Sequence, residues 1–202
     1  YWLPVYAFIR RYGHDSETAK DLTQGFFARL LDKKSFATAD KSKGRFRSYL
    51  LGAVKFFLAN DWDKQQTLKR GGSFRHIAID AEESEAHLAA LLADETTPET
   101  VYEREWAQTV LHSVTQALRK DYSRRQKAAH FEEIVPFLLG SPSLTYAELP
   151  AQIGISESAV KMAVKRMRER FGDLLRDHIA ATVDSDAAVA EEIRADLEHV
   201  LS

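Results

Sequence analysis

The sequence predicts an all-α protein, built as two small helical domains joined by an acidic linker and followed by a C-terminal helix. Three observations predict it. Apolar residues recur about one helical turn apart in successive segments: Leu22, Phe26 and Leu30, then Trp106, Val110, Val114 and Leu118, then Val189, Ile193, Leu197 and Leu201. Helix start signals precede such segments, at Asp15, at Thr97-Pro98-Glu99 and at Ser156. Charge divides the chain. Residues 1–75 carry 15 basic and 7 acidic residues, whereas residues 76–105 carry 1 and 9. Residues 106–183 carry 11 and 8, and residues 184–202 carry 1 and 6. The net charge of −2 over 202 residues therefore hides a basic first third, an acidic connector and an acidic tail. The expected domains are 1–72 and 98–183, with 73–97 as linker and 184–202 as a final helix.

Taken in order, Trp2 to Tyr12 reads as a short helix ended by Gly13. Asp15 caps a second helix, Ser16 to Asp32, whose core stripe is Leu22, Phe26 and Leu30. Phe27 and Leu31 make a second apolar line on this helix, rotated about 100° from the first. That line suits either more core or a partner protein. Ser35 to Gly44 is small and polar, a loop.

The stretch from Lys43 to Arg70 then mixes Lys and Arg with Phe46, Tyr49, Phe56, Phe57 and Trp62, and Gly71-Gly72 ends it. Cations neutralise phosphates and rings give bases a stacking surface, so the mixture suits opened or single-stranded nucleic acid. An amphipathic core helix with a solvated basic face is the competing reading of this segment. Residues 73–97 are linker-like, with a short acidic helix expected at Glu82 to Leu92.

Pro98 begins a helix to about Lys120, and another is expected from Arg124 to Leu139. Thr145 and Glu148 have capping-box spacing, Gly154 interrupts the pattern after about two turns, and Ser156 caps a longer helix. Short helix, tight turn and second helix make a helix-turn-helix. On the second helix Val160, Ala163, Val164, Met167 and Phe171 are apolar. Ser158, Lys161, Met162, Lys165 and Arg168 fall opposite, with Arg166 adjacent, which is the makeup of a DNA-reading face.

Composition excludes several classes. With no cysteine there is no disulfide, thiolate metal site or cysteine nucleophile. No apolar run reaches the roughly 18–20 residues that span a bilayer, and no signal peptide is visible, so membrane insertion is not expected and a cytoplasmic location is. The chain begins with Tyr1 rather than Met. The histidines show no metal-ligand spacing and no glycine-rich phosphate loop follows a strand, so no cofactor, no metal and no enzymatic activity are expected. Glu82-Glu83 and Glu191-Glu192 read as solvated acidic faces.

Two motifs in this order resemble a bacterial RNA polymerase sigma factor of the extracytoplasmic-function group, within the sigma-70 family, in its minimal form with regions two and four. Asp21 to Leu31 (DLTQGFFARLL) resembles the region-two signature, Gly44 to Lys64 the part that opens and holds the −10 element, and Thr145 to Phe171 region four. The resemblance covers about 1–75 and 100–183. It implies a promoter-specificity subunit without catalysis, which directs core polymerase to promoter DNA and assists opening. Asp21, Gln24, Phe27 and Leu31 would bind the clamp of the largest polymerase subunit. Lys41, Lys43, Arg45, Phe46, Arg47, Lys55, Phe56, Asn60 and Lys64 would contact the −10 element, with the loop from Lys41 to Arg47 taking a flipped-out base. Phe46, Tyr49 and Phe56 would support or stack unpaired bases. Ser158, Lys161, Met162, Lys165, Arg166 and Arg168 would contact the −35 element.

The chain departs from the family pattern at several points. Lys20 stands where an acidic residue is usual before the Asp-Leu pair, Phe56 replaces the usual Asn, and Pro150 replaces the usual Ala and removes an amide donor. A phosphate on Thr18 or Thr23 would add negative charge beside Lys20, so a regulatory kinase joins an anti-sigma factor as a candidate partner. The acidic C-terminal helix lies beyond the minimal pattern and would fold onto an apolar groove, as a brace or as a shield for region four. A helix-turn-helix regulator acting on duplex DNA without polymerase is the alternative, but it leaves the basic-aromatic helix unused. An all-helical adaptor would show no salt-dependent DNA affinity.

Overall fold

The computed structural model describes residues 1–32, 45–67, 97–125, 128–140, 142, 145–183 and 186–201, apart from the side chains of 32, 61–67, 128–129, 152–153, 186–187 and 196–201. The described residues form helices and turns, with no strand among them. The helices are α1 (Trp2–Arg11), α2 (Ser16–Asp32), α3 (Phe46–Thr67), α4 (Pro98–Arg124), α5 (Ala128–Leu139), α6 (Leu149–Ile153), α7 (Glu157–Ala180) and α8 (Asp186–Leu201). The expected loop at 35–44 and the short helix at 82–92 lie outside the described residues.

The caps read from the sequence operate as hydrogen bonds. The Asp15 carboxylate accepts the Thr18 N–H at 2.9 Å and its hydroxyl at 2.7 Å, fixing the start of α2. Those two bonds hold the Asp15 carboxyl below the usual carboxylate range. This cap therefore contributes fully above the unfolded Asp value and fades as pH falls through the depressed one. Thr97 Oγ1 accepts from the Thr100 N–H at 3.2 Å at the start of α4. Glu148 accepts from the Thr145 N–H and hydroxyl, both at 2.8 Å. Those bonds organise a turn over residues 146–148, and α6 itself begins only at Leu149. Pro150 thus stands in the first turn of α6, where its missing N–H would have had no helical partner, so it does not kink the helix.

The chain divides into two compact units, Tyr1–Thr109 with Thr182–Ser202, and Val110–Ala181. This differs from the boundary expected at the start of α4. The reason is aromatic packing. Tyr102 and Trp106, on the first half of α4, are 0% and 2% exposed and belong to the core of the first unit. There Trp106 stacks on Tyr1 at 4.5 Å and lies 6.1 Å from Phe46, while Tyr102 meets Phe8 edge-on at 6.3 Å. Each such side chain buries a large apolar area, worth roughly 1.5–3 kcal/mol. Val5, Tyr6 and Ile9 of α1, Leu22, Phe26 and Leu30 of α2, and Leu50, Val54 and Leu58 of α3 complete this core.

The second unit is centred on Leu118, Phe131, Ile134, Leu149, Val160, Val164 and Met167. Gly154, at φ 71°, occupies the left-handed region that the turn between α6 and α7 requires. Ser156 Oγ then accepts the Ala159 N–H at 3.2 Å. Ser156→Ala is expected to lower the stability of this unit by about 1 kcal/mol. Urea unfolding followed by far-ultraviolet circular dichroism measures the loss. The helix does not stop at Gly172 but runs unbroken to Ala180.

Candidate functional sites

Four surfaces carry the residues singled out from the sequence. The first is α2. Its inward line (Leu22, Phe26, Leu30) leaves Asp21, Gln24, Phe27 and Leu31 along another line of the same helix. Asp21 is exposed, Gln24 and Phe27 are half-buried, and Leu31 is 70% exposed. Phe27 is held edge-on to Phe26 at 5.1 Å, so its position is fixed while part of its ring stays accessible. An exposed leucine beside a half-open phenylalanine is what a partner-binding helix offers.

The same helix removes one candidate. Thr23 is fully buried and its hydroxyl donates to the Ala19 carbonyl at 2.6 Å, so it does not remain a modification site in this fold. Thr18 is half-buried, with its hydroxyl donating to Asp15.

The second surface lies between α2 and α3. Phe26, Leu30, Tyr49, Ala53, Phe56 and Phe57, with Arg29, line a cavity of about 260 Å³. Phe57 anchors it edge-on to Phe26 at 5.7 Å, and Phe56 stands 68% exposed. Of the other α3 candidates, Lys55 is exposed and paired with Glu99 at 2.7 Å. That bond holds the Glu99 carboxyl below its ordinary value. Asn60 turns back on its own helix, donating to the Phe56 carbonyl at 2.7 Å. Lys41, Lys43 and the Lys64 side chain lie outside what the structure describes.

The third surface is the start of α3, where Arg45 and Arg47 meet α8. Arg45 approaches Glu191 at 2.7 Å and Glu192 at 3.1 Å. Arg47 is 5% exposed and pairs with Glu192 at 3.2 Å and Glu103 at 2.8 Å. The backbone closes the same contact, as the Phe46 N–H donates to the Thr182 carbonyl at 3.3 Å. Tyr102 donates its hydroxyl to the Arg47 carbonyl at 3.0 Å, and burial, then the Glu103 charge, raises its pKa, so it remains a donor. Of the pair read as a solvated acidic face, Glu191 is exposed but Glu192 is not. Glu192 is 2% exposed, because Val189, Glu192 and Ile193 share the inward face of α8. Glu103 and Glu192 are the partners that sequence reasoning missed. The available signal was a carboxylate set in an apolar stripe.

The fourth surface is α7. Ser158, Lys161, Met162, Lys165 and Arg168 are all exposed, Met162 by 46%. Lys161 and Lys165 make only intrahelical pairs, with Glu157 at 2.6 Å and Glu169 at 3.8 Å. Exposed pairs of this kind are worth less than about 1 kcal/mol and yield readily to a stronger anion. Arg168 donates to the Phe137 carbonyl at 3.0 Å, so its guanidinium is tied to the end of α5. Arg166 is separated from this line. It lines a cavity of about 370 Å³ with Tyr122, Arg125, His130, Ile155 and Arg170 among others, and Arg170 there pairs with Asp121 at 2.7 Å.

With this geometry in place, comparison with known families bears on α1 to α3. Residues 3–67 match the model of sigma-70 region 2. Over this stretch the chain is similar to region 2 of sigma-70 family sigma factors. Neither the curated proteins nor the solved structures gave a match to this chain. The region-2 stretch takes in α1, α2 and α3, and so carries the Asp21–Leu31 line, the aromatic cavity and both arginines. Among the described residues no group of His, Asp and Glu could hold a metal, and no helix is long and apolar enough to cross a membrane.

Proposed function

We propose that the chain is a promoter-specificity subunit of the extracytoplasmic-function group, acting with core polymerase in the cytoplasm. The observation that carries the reading is the exposed line Asp21–Gln24–Phe27–Leu31 within the region-2 match. Leu31 and the accessible part of Phe27 form an apolar line flanked by polar Asp21 and Gln24, which suits a partner surface, here the polymerase clamp. Region 2 would hold the −10 element, with Phe56 and the aromatic cavity beside it receiving unpaired bases. The Val110–Ala181 unit would act as region four, with Lys161 and Lys165 reaching −35 phosphates and Ser158 and Met162 facing the groove. Arg166 has a lesser part in that reading, since it lines a separate cavity.

Reconstituted transcription with core polymerase over a promoter library tests the function. Promoter-dependent initiation is the expected result, and none at all would overturn the reading. The −35 assignment has its own measurement. Replacing Lys161 and Lys165 together by Ala is expected to weaken duplex binding across sequences and to flatten the dependence of log affinity on log salt by about 2. An unchanged slope would remove both lysines from the DNA face.

A further inference from the structure

The contact between the start of α3 and α8 joins Arg45 and Arg47, which the resemblance implies would hold backbone phosphates of the −10 element, with the acidic C-terminal helix. Arg45 and Arg47 each meet Glu192, and Arg45 also meets Glu191. A planar guanidinium binds a carboxylate and a phosphate with the same forked donors. We propose that α8 is an internal substitute for DNA phosphate: Glu191 and Glu192 occupy Arg45 and Arg47 in the free chain and withdraw when single-stranded promoter DNA takes their place. The inference rests on the reading of this unit as a −10-binding region 2.

Three features make α8 the element that moves. It lies outside residues 3–67, the stretch that matches region 2. Charge carries part of its attachment: among its described side chains Glu192 is buried beside Val189 and pairs with both Arg45 and Arg47. The attachment also has an open edge. Glu191 is 68% exposed and Arg45 26%, which lets a polyanion compete for Arg45 before Glu192 is uncovered. Arg47 does not stand bare during the exchange, because Glu103 remains beside it at 2.8 Å. A permanent brace would show the same ion pairs, and the two differ in what DNA does to them.

The test uses the full chain and a fluorescent single-stranded oligodeoxynucleotide of about 12 nucleotides. Glu191→Gln with Glu192→Gln is expected to raise affinity roughly tenfold. It should also steepen the salt dependence by about one, since freed arginines then release counterions on binding. Glu191→Gln alone, at an exposed position, should give an intermediate gain with the fold intact. Equal affinity in parent and variants, or none in any of them, overturns the proposal.

The chain has no cysteine, so spin labels at Ser48→Cys and Ala190→Cys, both exposed, report the α3–α8 separation directly. The distance should lengthen at saturating oligonucleotide, and an unchanged distance means a brace. Failure of this idea is distinguishable from failure of the function. Promoter-dependent initiation that is indifferent to the Gln variants removes only the substitution by α8. Oligonucleotide binding that responds to them, without initiation, removes only the sigma-factor reading.

Discussion

Arg47→Ala is expected to destabilise the first unit by about 3–5 kcal/mol. The side chain is 5% exposed and lies between Glu103 and Glu192, the latter 2% exposed. Taking the guanidinium away leaves Glu192 in a dry site with Arg45 to balance it among the described residues. An uncompensated buried carboxylate costs more than the pair contributed. Replacing Arg47 and Glu192 together by Met should recover a large part of the loss, because both desolvated charges go at once. The measurement can be confined to one unit. Trp2, Trp62 and Trp106 are the three tryptophans and all fall within Tyr1–Thr109, so tryptophan fluorescence in urea follows this unit. A midpoint unchanged by Arg47→Ala would mean that Arg47 is not buried in solution.

Leu31→Asp should do the opposite, leaving the unfolding midpoint in place and lowering affinity for core polymerase by about two orders of magnitude. Leu31 is 70% exposed, so the fold loses no packing when it is replaced. The effect follows from placing a charge where a partner's apolar surface would have to desolvate it. Titration of labelled chain with core polymerase reads it. Phe27→Ala is a weaker instrument, since Phe27 also packs on Phe26. Affinity that survives Leu31→Asp would move the polymerase surface away from α2.

These two residues also show what the sequence could and could not reveal. Leu31 was legible because helical geometry alone separates it from Leu22, Phe26 and Leu30. The turn between α6 and α7 was legible because Gly154 and Ser156 are local punctuation whose effects reach only a few residues. The burial of Arg47 was not, since its bond to Glu192 spans 145 positions and no local pattern encodes such a partner. Thr23 reads as an accessible hydroxyl, yet its short side chain fits the core face by bonding to the carbonyl one turn back. Arg166 differs from Lys165 by a single step of about 100°, enough to bring it to the rim of the cavity while it stays exposed. The position of the unit boundary inside α4 followed from Tyr102 and Trp106, whose aromatic partners lie on α1 and α3.

The hydrogen bond from Phe46 to the Thr182 carbonyl fastens together parts of the chain made far apart in time. The first unit begins with Tyr1 yet is finished by Thr182–Ser202, and the whole of Val110–Ala181 is synthesised in between. Glu192 follows Arg47 by 145 positions, so at ordinary translation speeds of about 5–20 residues per second the delay is on the order of 7–30 s. During that interval a growing chain carries Arg45 and Arg47 without the carboxylates of α8. On the proposed role of α8, a nascent chain would for that time be more attractive to nucleic acid than the finished protein.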